Sequence, residues 1–153
     1  MARAFIALGS NLGDRAATIR AAVTELAAAD GVEVVAVSSL EETDPVGYVD
    51  QPRFLNGAAE LRTELGPRKL LALLLAVEAR FGRERSAGPP QGPRTLDLDL
   101  LLYGSERLAE PGLELPHPRL HERLFVLRPL AELDPSLEVP GKGPIQGLLA
   151  GLH

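Results

Sequence analysis

Strand-like and helical segments interleave along this chain and predict an α/β (α+β) fold, a ferredoxin-like domain whose mixed, largely antiparallel sheet is flanked by helices. Three observations carry that expectation. The segments run strand, helix, strand, strand, helix, strand, helix, and the two adjacent strands break the regular alternation of a doubly wound fold. No period of roughly 20–50 residues repeats and no segment is of low complexity, so solenoid and disordered readings fall away. The length of 153 residues suits one domain, expected to span 1–153, and a domain of this size buries about 68–70% of its unfolded-chain surface.

In chain order, Arg3–Gly9 contains Phe5, Ile6 and Leu8 and reads as a buried first strand, with Gly9-Ser10-Asn11-Leu12-Gly13 as a structural turn. Asp14 is placed to cap a helix carrying Ile19, Ala22, Val23, Leu26 and Ala27 at helical spacing, stopped by Gly31. Val32–Ser38 is short and β-branched, a second strand. Thr43–Gln51 reads as a loop, and Phe54–Glu64 as a strand. Gly66-Pro67 opens a helix whose apolar face is Leu70, Leu71, Leu74, Val77 and Phe81, with Gly82 as its end. Arg83–Pro93, with three Pro, two Gly and two Arg, is a second loop. Thr95–Tyr103 is the clearest strand. A Pro-studded connection then leads to a helix around Arg119–Leu127 and a last helix near Ile145–Leu152.

Composition removes several function classes. With no Cys there is no disulfide framework, thiolate zinc site or cysteine nucleophile. The longest apolar run, Leu70–Val77, is far short of the ~20 residues that span a bilayer. No signal-peptide pattern is present either, so the expectation is a cytoplasmic protein without a membrane partner. A net charge of −5 argues against nucleic acid as partner, but a few clustered Arg or a metal ion can still hold a phosphorylated small molecule. A monomer is expected.

The chemistry concentrates at Thr95-Leu96-Asp97-Leu98-Asp99-Leu100-Leu101-Leu102-Tyr103. In a strand, Leu96, Leu98, Leu100 and Leu102 share one face while Asp97 and Asp99 share the other. Two carboxylates on one face of a strand repel each other, and a divalent cation relieves that repulsion. Hard oxygen donors suit Mg²⁺, which commonly completes its shell with substrate phosphates. The same alternation also describes an ordinary half-buried strand with a solvated polar face. Arg83, Arg85 and Arg94 nearby favour the chemical reading, because phosphoryl transfer needs metal and guanidinium groups around developing charge.

Other signals are weaker. Gly9–Gly13 matches no phosphate-loop pattern, and no G-x-S-x-G elbow exists. His117 and His121 have zinc-helix spacing, but Pro118 lies between them and hydrogen-bonding roles are the simpler reading. A metal-dependent phosphohydrolase using Asp97, Asp99, His117 and His121 is the alternative activity, and a non-catalytic nucleotide sensor is a third reading.

In Gly92-Pro93-Arg94-Thr95-Leu96-Asp97-Leu98-Asp99-Leu100, Gly9-Ser10-Asn11-Leu12, Thr43 with Pro45-Val46-Gly47, and Phe54-Leu55-Asn56, the chain resembles the 6-hydroxymethyl-7,8-dihydropterin pyrophosphokinases of folate biosynthesis. The likeness runs from Ala4 to about Leu133. It implies transfer of pyrophosphate from the co-substrate ATP to the pterin hydroxymethyl group, releasing AMP, on a ferredoxin-like fold. It also implies two Mg²⁺ ions at Asp97 and Asp99, with Arg83 and Arg94 as catalytic arginines. The pterin falls to Thr43, Val46, Phe54, Asn56 and Phe125, and ATP to Glu78, Arg85, Leu100, His117 and Arg123. Pro90-Gln91 stands where similar enzymes carry Arg-Trp, Leu75 where some carry a polar residue, and the loop is one residue longer. Both loops are expected to act as lids over the site.

Overall fold

The computed structural model of the chain describes residues 1–44, 53–81 and 96–152. Strand β1 (Ala2–Ser10) leads into helix α1 (Arg15–Ala28), followed by β2 (Val32–Val37), β3 (Glu41–Thr43) and β4 (Phe54–Thr63). Helix α2 (Pro67–Arg80) and strand β5 (Asp97–Tyr103) come next, then the hairpin of β6 (Leu108–Glu110) and β7 (Leu113–Leu115). A 3₁₀ turn (Leu120–Glu122), α3 (Leu124–Leu133), the small pair β8 (Glu138–Val139) and β9 (Gly143–Pro144), and α4 (Ile145–Ala150) complete the described chain. The main sheet has the order β2-β4-β1-β5, with β3 added on β4, and its described pairings are antiparallel. This is the expected ferredoxin-like plan.

Local chemistry starts both long helices. The Asp14 side chain accepts the Ala17 N–H at 3.1 Å, satisfying one donor of the first turn of α1. Pro67 stands at the first position of α2, where its missing N–H is no loss. Ile19, Ala22 and Leu26 of α1 join Leu70, Leu74 and Val77 of α2 over one face of the sheet, against Ala4, Ile6, Leu8, Leu61, Leu96, Leu98 and Leu100. The other face is covered by Val126, Leu127 and Leu130 of α3 and Ile145 of α4, over Phe5, Ala58, Leu101 and Leu102. The sheet is therefore a middle layer, and β1, β4 and β5 divide their buried side chains between two cores.

Five expectations need correction. Leu102 does not continue the Leu96, Leu98, Leu100 face. Phe5 pairs with Leu102 but Ile6 with Leu100, so Leu101 is an extra residue in β5, and the bulge turns Leu102 toward the α3 side. Ser10 extends β1 one residue past the expected end at Gly9 rather than entering a turn, and Thr43 belongs to β3 rather than to a loop, because both segments find partners on β4. The helix expected at Arg119–Leu127 is a 3₁₀ turn followed by α3, which runs on to Leu133 with Pro129 inside it. The last helix begins at Ile145 as expected and stops at Ala150 rather than Leu152. The helix end at Gly82, the strand start at Thr95 and the body of both expected lids lie outside the described residues.

Strand β5 is the sheet's edge next to the proposed carboxylates, and α2 closes it. The buried Glu78 accepts the Leu98 N–H on Oε2 at 2.7 Å, so a carboxylate takes the place of a further strand between Asp97 and Asp99. Glu78→Ala is expected to destabilise the protein by about 1–3 kcal/mol, the cost of leaving the buried Leu98 N–H without its acceptor, and Glu78→Gln by less. Urea denaturation checks this as a lowered midpoint with an unchanged slope.

Candidate functional site

A cavity of about 290 Å³ opens on the α3 side of the sheet, at the end where β1 leaves for α1. Its floor is the row Gly9 and Ala7 on β1. Gly9 pairs with Asn56 on β4 and Asp97 on β5, and Ala7 pairs with Ala58 and Asp99. The next residue in that row is Phe5, buried under α3, and there the cavity ends. Small side chains at Gly9 and Ala7 thus leave the space that Phe5 fills further along the strand.

Asp97 and Asp99 line the β5 flank and are half-buried. Phe54 and Asn56 line the β4 flank, and Thr43, opposite Phe54 in the β3–β4 pairing, stands beside them. The Asn56 Nδ2 donates to Thr43 Oγ1. The far wall comes from the connection after β7 and the start of α3: His117, Arg123, Phe125 and Val126. His117 is anchored by its N–H, which donates to Leu101 O at 2.9 Å. The Arg123 guanidinium lies 5.5 Å from the centre of the Phe125 ring, a cation–π contact that steadies both groups. Arg123 also sits at the N-terminal end of α3, where the helix carries positive partial charge.

One flank of the cavity is therefore acidic and the opposite wall is cationic, which suits a polyphosphate bound through a metal ion on one side and directly on the other. Among the described residues no cluster of three or more His, Cys, Asp or Glu is gathered as a complete metal cage. The pair of hard carboxylates fits Mg²⁺, which keeps waters and takes phosphate oxygens for the remaining positions. Of the residues expected from sequence, Thr43, Phe54, Asn56, Asp97, Asp99, His117, Arg123 and Phe125 meet here. Glu78 and Leu100 do not: both are buried toward the α1 and α2 layer. Val46, Arg83, Arg85 and Arg94 lie outside the described residues. His121 is not in the cavity lining, and its Nδ1 is buried with no partner among the described residues.

Sequence reasoning missed Gly9, Ala7 and Asp44 as lining residues. It also missed the bracing of the cavity mouth. Arg15 Nη1 donates to Arg53 O at 2.9 Å and Nη2 pairs with Glu42 at 2.5 Å, while Arg53 pairs with Asp44 at 3.2 Å. The hydrogen bond from Arg15 holds the Glu42 carboxyl below its ordinary range. These charges are separated in sequence and only the fold brings them together, so no spacing announces them.

Burial pushes the His117 imidazole below its ordinary pKa; Arg123 acts in the same direction, while Asp97 and Glu114 oppose it. The shift favours the neutral ring in the folded protein, so its contribution to stability is complete above about pH 6.5 and is lost as pH falls from there through the native pKa. NMR titration of the ligand-free protein is expected to place His117 below that value, and Arg123→Ala to move it upward.

The sequence profile of the 7,8-dihydro-6-hydroxymethylpterin-pyrophosphokinase (HPPK) family matches residues 5–135. The 2-amino-4-hydroxy-6-hydroxymethyldihydropteridine pyrophosphokinase of Bacillus subtilis is 51% identical over 135 residues, covering 88% of this chain and 80% of that protein. Its Pseudomonas aeruginosa namesake is 46% identical over 148 residues, covering 97% and 90%. Among solved structures, the wild-type Plasmodium falciparum HPPK-DHPS shares the fold with a TM-score of 0.73 at 13% identity, over 98% of this chain and 44% of that one. The chain belongs to the 7,8-dihydro-6-hydroxymethylpterin-pyrophosphokinase family.

Proposed function

We propose that the cavity between β5, β4 and the start of α3 is where this chain carries out its family's reaction, transfer of pyrophosphate from ATP to 6-hydroxymethyl-7,8-dihydropterin in folate synthesis. The observation that carries the assignment is that Asp97 and Asp99 share one cavity with Asn56, Phe54 and Phe125. Groups suited to a metal-bound phosphate and groups suited to a flat heterocycle rich in donors and acceptors thus stand one strand apart.

In this reading Phe54 and Phe125 stack on the pterin ring, and Asn56 hydrogen-bonds its polar edge. Thr43 and, from the sequence, Val46 bind it largely through backbone groups. His117 and Arg123 face the phosphates of ATP, with Arg85 expected to join them. Asp97 and Asp99 would hold Mg²⁺, with two ions expected from the family; bound there, the metal would supply neutralisation of phosphate oxygens and a lowered pKa for the pterin hydroxyl. The hydroxymethyl oxygen attacks the β-phosphorus, the bond from that phosphorus to the oxygen of the α-phosphate breaks, and AMP leaves while the hydroxyl proton passes to solvent. Arg83 and Arg94 stabilise the charge that grows on the phosphate oxygens. Glu78 acts on the nucleotide side through the Leu98 backbone it holds between the two aspartates, and Leu100, its side chain buried on the far face, through its backbone.

A single domain over 1–153, a monomer in the cytoplasm and small molecules as its only ligands complete the reading. The net charge of −5 disfavours nucleic acid. No helix among the described residues is long and apolar enough to cross a membrane.

The test is AMP formation from ATP and Mg²⁺ with and without the pterin. AMP is expected only when the pterin is present; ADP or free phosphate without it would overturn the assignment in favour of a hydrolase. Asp97→Ala and Asp99→Ala are each expected to lower kcat by about a thousandfold or more. Arg83→Ala and Arg94→Ala are each expected to lower kcat about 10²–10³-fold with a smaller change in KM, as for groups that act mainly in the transition state.

A further inference from the structure

Gly9 stands at the centre of the cavity floor, opposite Asn56 on one side and Asp97 on the other. Its φ is not positive, so the backbone there does not require glycine. Space does. A Cβ built on Gly9 would sit 2.9 Å from Asn56 Oδ1 but 3.9 Å from both Asp97 Cβ and Leu55 O. The first distance is well inside van der Waals contact, while the other two are ordinary contacts. A methyl group would therefore disturb the Asn56 side and spare the Asp97 side.

Asn56 has little freedom to step aside, because its Nδ2 is engaged by Thr43 Oγ1. That bond uses one of the amide's two N–H donors and leaves one N–H and the carbonyl oxygen for a ligand. An amide held in this way offers a donor beside an acceptor, which matches a heterocycle edge carrying the same pair in reverse.

We propose that Gly9 is a specificity-determining position: its missing side chain lets the Asn56 carboxamide lie against β1 in the orientation that reads the polar edge of the pterin. Gly9 acts through Asn56 and is a positioning residue. The proposal rests on the reading of Asn56 as the residue that hydrogen-bonds the pterin ring.

The experiment is a double-mutant cycle of Gly9→Ala and Asn56→Ala in the full chain, with steady-state kinetics for both substrates and the thermal midpoint of each variant. Gly9→Ala is expected to raise KM for the pterin about tenfold or more, with KM for ATP and kcat at saturating pterin within about twofold. In the Asn56→Ala background the added methyl is expected to change neither KM for the pterin nor the midpoint, because the group it strikes is gone. If Asn56→Ala leaves KM for the pterin unchanged, the reading of Asn56 fails. If Asn56→Ala raises it but Gly9→Ala does not, or Gly9→Ala raises both KM values alike, the role of Gly9 is overturned. A penalty that persists in the double variant, in KM or in folding, overturns it too.

Discussion

Strand β1 is hydrogen-bonded to β4 on one side and to β5 on the other, and this double pairing decides which side chains meet at the cavity. A central strand has no freedom to slip, because a shift of one residue would exchange the contents of two cores. With the register held, Asn56, Gly9 and Asp97 fall in one row, and Ala58, Ala7 and Asp99 in the next. The side chains on this face of β1 grow from glycine to alanine to phenylalanine along the strand. That gradient makes a cavity at one end and a packed core under α3 at the other.

The edge strand β5 is governed by two devices. Glu78 accepts the Leu98 N–H, which fixes the backbone between the two aspartates from the side opposite the cavity. The extra residue Leu101 changes the facing of the strand after Leu100, so its second half contributes Leu101 and Leu102 to the α3 core. The aspartate end can then face an open, polar cavity while the other end is fully packed. Without the bulge, Leu101 and Tyr103 would continue the aspartate face and Leu102 would stay with Leu100.

Helix α3 joins these parts electrostatically as well as by packing. Its first residues supply Arg123, Phe125 and Val126 to the cavity wall, and Asp134 at its C-terminal cap pairs with Arg3 at 2.9 Å. Arg3 also pairs with Glu60 at 2.9 Å, at the end of the sheet away from the cavity. The cationic start of the helix thus shares the cavity with two carboxylates while its far end is tied to the first strand.

The sequence by itself determined the periodicities and the chemistry that need only near neighbours. Alternating Leu and Asp in 96–100 places two carboxylates on one strand face. Asp14 and Pro67 start helices through contacts made within one turn, and the family motifs name residues that later meet in one cavity. Tertiary structure decided everything that depends on a partner far along the chain. The facing of Leu102 depends on a bulge against Phe5, the strand character of Thr43 on pairing with Phe54, and the burial of Glu78 on an edge strand needing an acceptor. Gly9 is the clearest instance. Its local sequence reads as the end of a strand running into a turn, and only the approach of Asn56 from another strand shows that the position has no room for a side chain.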